Sequence, residues 1–156
     1  MATVARGDAA ALSAARNAFQ LRRNKGDSGW NQVAMDAALL GNASEAAGFV
    51  LARATTPPAK GYRFPTFAPH EQDYEPSSDH FGVMQNALAY MLMQQVDDAA
   101  GSVLLLPAWP CSWDVRFKLH APKQTVVTGA LVAGKLEFDV SPPARKANVH
   151  VAPCQS

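Results

Sequence analysis

The spacing of apolar residues changes once along this chain, near residue 100, and that change limits the folds available to it. Before it, apolar side chains recur every three to four residues. After it, they alternate. A period near 3.6 buries one stripe of a helix, whereas a period of two buries one face of a strand. The first part reads as four helices. Ala9 to Arg23 carries Leu12, Ala15, Phe19 and Arg22 at helical spacing, with Gly26 just past its end. Trp30 to Leu40 places Val33, Ala37 and Leu40 on one stripe, and Gly41 stands where a helix ends in a left-handed turn. Ser44 to Ala54 is the third helix, stopped before Pro57-Pro58, and with the second it makes an antiparallel hairpin. His80 to Val96 is the fourth, with Met84, Leu88, Met91 and Leu92 on one face.

Beyond Gly101 the segments are short and strand-like. Val103 to Leu106 reads as a buried strand. Trp113 to His120, Thr125 to Val132 and Lys135 to Val140 follow, the last two joined by a tight turn at Ala133-Gly134, and Asn148 to Ala152 closes the series. In Trp113 to His120, Val115, Phe117 and Leu119 alternate with Arg116, Lys118 and His120, whose default environment is a solvated face. The expected class is α+β: N-terminal antiparallel helices, residues 1–100, then a small antiparallel, sandwich-like β unit, residues 101–156.

Composition excludes several functions. The apolar fraction is 48% and the charged fraction 17%, as in folded globular proteins. A net charge of +1 gives no electrostatic basis for binding nucleic acid or anionic membrane. No apolar run, Val103 to Ala108 included, is long enough to span a bilayer, and MATVARGDAA lacks the apolar core of a signal peptide. Cys111 and Cys154 lack metal-site spacing. Two unpaired thiols are the expected state, with a bond between the C-terminal tail and the Pro110 loop as the alternative.

Residues 56 to 79 break the pattern. They hold five prolines and no apolar period, and loops of that length in compact domains are often functional. The stretch FAPHEQDYEPSSDHFG, residues 67 to 82, gathers two His, two Glu, two Asp and a Tyr. His70, Glu71, Asp73 and Glu75 read as a solvated loop, His70 and Glu71 as substrate-binding groups, or His70, Glu71, Asp79 and His80 as metal ligands at a spacing that matches no common site. Asp79 reads either as the N-cap of the fourth helix or as a catalytic carboxylate, and a helix N-terminus favours its ionised form in both. His80 is a neighbour of the cap or a pocket wall. Trp30, Trp109 and Trp113 are core residues or stacking platforms. The Met residues of the fourth helix are core filler.

Three blocks, GWNQVAMDAALLGNASEA, RFPTFAPHEQDYEPSSDHFG and MLMQQVDDAAGSVLLLPAWPCSW, occur in the order and at the spacing that resembles the C-terminal part of six-hairpin glycosidases, most closely glycoside hydrolase family 95, the α-L-fucosidase and α-galactosidase group. The resemblance runs over residues 10 to 152. It implies the last helices of an (α/α)6 barrel followed by a β domain, which accounts for helices apolar on more than one face. It also implies inverting hydrolysis of terminal α-linked sugars. In that chemistry two groups flank the bond with room for a water between them. The resemblance assigns to Asp79 the support of that water. It makes His70, Glu71, His80, Trp30 and His120 the substrate-binding candidates, with an oligosaccharide or glycan as partner and no metal or organic cofactor. The family block reads D-G-N-F-G where this chain has Asp79-His80-Phe81-Gly82. The family's Asn pair and general-acid Glu belong to barrel segments that precede the matched region. The expected behaviour of this chain alone is therefore no hydrolysis. The competing expectation is a non-catalytic remnant, or a carbohydrate-binding or interaction module, that associates with itself or with the rest of a barrel through exposed apolar helix faces.

Overall fold

A computed structural model describes Ala5 and residues 7–26, 29–55 and 78–153. The chain is α+β. Helices α1 (Ala9–Leu21), α2 (Val33–Leu39), α3 (Ala43–Thr55) and α4 (Ser78–Leu92) precede strands β1 (Met93–Gln95), β2 (Val103–Leu105), β3 (Val115–Ala121), β4 (Thr125–Val132) and β5 (Lys135–Ser141). A 3-10 helix (Pro143–Asn148) then leads into β6 (Val149–Val151). Among the described residues the helices form no closed barrel.

Local signals set the helix ends. Asp8 caps α1 by accepting a 3.0 Å hydrogen bond from Ala11 N–H. Asn31 Oδ1 accepts from Val33 N–H at 3.0 Å and opens α2. At the other end of α2, Gly41 has φ +72°. Its N–H donates to Ala38 O, and Asn42 N–H donates to Ala37 O, which together close a Schellman motif. That turn reverses the chain into α3. Helix α2 is the central helix and packs on both α3 and α4. Val33, Ala37, Ala38, Ala46, Ala87 and Met91 are fully buried there, and the small side chains let the helix backbones approach closely. Helix α1 buries Phe19 in the core, packs Leu12 and Ala15 against it, and adds polar contacts such as Arg16 Nε to Leu40 O at 2.9 Å and Arg22 to Asp36 at 2.7 Å.

Two three-stranded sheets follow, in the orders β1-β2-β6 and β3-β4-β5. The second is an antiparallel meander. Its second turn, Ala133-Gly134, has φ +48° and +74°, both in the left-handed region. The first sheet departs from expectation twice. Helix α4 ends at Leu92, and Met93–Gln95 pairs as a strand with β2 instead of extending the helix to Val96. An apolar run such as MLMQQV fits either state, and the open edge of β2 decides it. In addition, β6 pairs with β2 in parallel, so the β unit is not wholly antiparallel. The meander and the 3-10 helix supply the long connection that a parallel pair requires. The sheet thus takes strands from both sides of residue 100.

The core face of the meander is held around Gly129, which pairs with Phe117 on one side and Phe138 on the other. An added Cβ there would come within 2.8 Å of Phe117 Cζ and 2.8 Å of Glu137 O. One of those two atoms is backbone and cannot move aside. Gly129→Ala is therefore expected to destabilise the chain by about 1–3 kcal/mol, the usual cost of overpacking, read as a lower midpoint in urea unfolding.

Candidate functional site

The N-terminal end of α4 is where the structure assembles most of the described candidate residues. It begins with Arg53, on the buried stripe of α3 with Ala46 and Val50. Arg53 is only 8% exposed. Its Nη1 donates to His80 O at 3.1 Å and its Nη2 to Asn31 O at 3.4 Å. One guanidinium therefore links α3 to the first turn of α4 and to the segment entering α2. A buried charge is tolerated when its donors are satisfied, and planar guanidinium groups suit several carbonyl partners at once.

His80 is 4% exposed, so its side chain is buried at the start of α4. Trp30 lies against it, with ring centroids 5.6 Å apart and planes tilted by 55°. Trp30 itself remains 66% exposed, which rules out the core reading for this tryptophan. Gly29 approaches the same imidazole: a Cβ at Gly29 would lie 3.8 Å from His80 Nε2. Asp79 is exposed and is the second residue of α4. It stands inside the first turn and is not the residue before it, so the N-cap reading does not hold.

His80 and Trp30 thus come together, and Asp79 precedes His80 in the first turn of α4. His70 and Glu71, with Asp73 and Glu75, lie outside the described residues. His120 is exposed on β3, opposite Val126, in the other sheet. Arg53 and Asn31 are the contributors that sequence reading passed over. A signal for Arg53 was present: it continues the buried series Ala43, Ala46, Val50 at helical spacing, where a cation is out of place unless it has partners. Among the described residues, no three His, Cys, Asp or Glu side chains converge as metal ligands.

A second concavity lies on the outer face of α3. It measures about 340 Å³ and is bounded by Ala43, Ala47, Gly48, Leu51, Pro110 and Trp113. Trp113 is half-buried, and Trp109 props it edge-on while donating its Nε1–H to Trp113 O at 2.9 Å. Next to it, Cys111 is disulfide-bonded, so the expectation of two free thiols fails at this position. Cys154 lies outside the described residues. The parallel β2–β6 pairing lays residues 149–151 along β2, and Ala152 N–H donates to Leu105 O at 2.9 Å.

Burial lowers the pKa of His80 below 6.5, and the charge of Arg53 lowers it further. A histidine whose folded pKa is depressed binds its proton more readily when unfolded. Its contribution to stability is complete above 6.5 and is lost as pH falls below that value through the folded pKa. The urea midpoint of the native chain is expected to drop on acidification through this range more steeply than that of His80→Gln. Equal slopes for the two proteins would contradict the assignment. Compared with known proteins, the chain matches no family model, no curated protein and no solved structure.

Proposed function

We propose that the N-terminal end of α4 binds a carbohydrate, and that the chain acts as the C-terminal part of an inverting glycoside hydrolase for terminal α-linked sugars of the fucosyl or galactosyl type. The observation that carries this reading is Trp30: a large aromatic face, two-thirds exposed, packed on a buried histidine that an exposed carboxylate, Asp79, directly precedes in the chain. Sugars present apolar C–H faces and ring hydroxyls together, and an aromatic platform beside a charged acceptor meets both. Asp79 has the role of orienting hydroxyls or the attacking water. His80 fixes the platform, and Arg53 fixes His80 by holding its backbone carbonyl. The Cys111 disulfide agrees with an oxidising compartment, where exported glycosidases work. The second reading, an interaction module, draws on Leu21 and Leu51, which are apolar and exposed on α1 and α3.

Titration with methyl α-L-fucoside and methyl α-D-galactoside, followed by two-dimensional NMR, tests the proposal. The indole N–H of Trp30 and the amides of Asp79 and His80 are expected to shift together. Trp30→Ala abolishes the response, and Asp79→Asn weakens binding about tenfold, the usual loss for a charge-assisted hydrogen bond. No shift at saturating sugar would defeat the carbohydrate reading. The chain by itself is expected not to cleave aryl glycosides, because the resemblance puts the general acid in other segments. Cleavage that disappears in Asp79→Asn would refute that expectation while keeping the site.

A further inference from the structure

The solvent face of the β3-β4-β5 meander is sorted by charge. Residues paired directly across the sheet share a face, so the registers place Arg116, Ala130 and Glu137 in one row and Lys118, Thr128 and Asp139 in the next. His120, Val126 and Ser141 form a third row, and Val132 and Lys135 extend the face beyond the first. Arg116, Lys118 and His120 are exposed along β3, and Glu137, Asp139 and Ser141 are exposed along β5. Between them β4 presents Val126, Thr128, Ala130 and Val132. Val132 is 46% exposed, one of the few large apolar side chains left open in the described residues.

This arrangement is costly for an isolated sheet. Like charges two residues apart on one strand stand about 7 Å from each other. Opposite charges sit two strands apart, about 10 Å, too far for contact. None of Arg116, Lys118, Glu137 or Asp139 forms an ion pair among the described residues.

We propose that this face is a docking surface for a second copy of the chain, related by a twofold axis running along β4. That rotation lays β3 of one copy over β5 of the other. Arg116 then meets Glu137 of the copy, Lys118 meets Asp139, and both pairs occur twice, as an isologous interface requires. Lys135, the basic exception on β5, comes opposite Asp114, which directly precedes β3. The β4 residues meet their own counterparts along the axis, giving a small apolar centre with a charged rim. A twofold axis across the strands instead would stack β3 on β3 and oppose like charges, so the charge pattern selects one orientation. The face covers about 350 Å² per copy from strand spacing and rise. That is small for a permanent dimer, so the association is weak, reversible and salt-dependent.

Sedimentation velocity over a concentration series, at low and at high ionic strength, tests this on the intact chain. The unaltered protein is expected to dimerise at low salt and to dissociate as salt rises. The double variants Arg116→Glu/Lys118→Glu and Glu137→Arg/Asp139→Lys are each expected to self-associate at least about tenfold more weakly, while their equimolar mixture regains dimer. The altered side chains are exposed, and circular dichroism confirms folding. Should a variant unfold, the salt dependence of the unaltered chain decides. A monomer at every low-salt concentration, or a dimer indifferent to salt and charge reversal, would overturn the proposal.

Discussion

The C-terminal end of α4 is the joint on which the rest of the architecture depends. The last carbonyls of a helix have no partners within it, and leaving them buried and unpaired would be costly. Here Leu92 O accepts from Leu106 N–H at 2.7 Å, and Met91 O accepts from Ala108 N–H at 3.2 Å. The segment that follows β2 therefore completes the helix. To reach that position Leu106 adopts φ +57°, a left-handed conformation that costs a leucine about 1–2 kcal/mol. Burial of Leu105 and Leu106 in the common core offsets it. Gln94, one residue into β1, adds a second tie: its Nε2 donates to Ala38 O at 2.7 Å and Tyr90 O at 3.1 Å. The helical layer and the first sheet thus share one set of hydrogen bonds and one apolar cluster.

The second sheet is fastened by a different device. Arg145, in the 3-10 helix, donates to Thr125 Oγ1, Ala100 O, Gly101 O and Asn148 Oδ1 at 2.7 to 2.9 Å. It bridges the turn that opens β4 and the turn that opens β2, so one half-buried side chain sets the two sheets against each other. Arg53 does the corresponding work among the helices. In both places the cation binds backbone carbonyls, two for Arg53 and two for Arg145 alongside two side-chain oxygens, which fixes chain path more than it adds stability.

That division of labour bears on function. The described part of the proposed carbohydrate site is built on one junction: Arg53 holds the first turn of α4, buried His80 packs on Trp30, and Trp30 and Asp79 are exposed. The charged face of the meander lies on the other sheet, on the side opposite its core-facing side chains. The self-association proposed there would draw on the β unit alone and on none of the residues of the proposed sugar site.

Much of the fold was legible because its signals are local. Helical spacing located all four helices, Gly41 ended α2, the alternation of Val115, Phe117 and Leu119 set the core face of β3, and Ala133-Gly134 made its turn. Of the site, Asp79, His80 and Trp30 could be singled out as residue types, but not their arrangement. Whether Met93–Gln95 continues a helix or becomes a strand depends on an edge offered by β2. Whether β6 runs parallel to β2, whether Cys111 finds a partner, and whether Arg53 is a surface charge or a buried clasp depend on segments distant in sequence. The sequence by itself determined which faces of its elements are apolar and where they end, because those follow from periodicity and backbone preference. Only the tertiary structure decided which elements meet, because pairing and burial are settled by competition among non-local partners for the same hydrogen bonds and the same core.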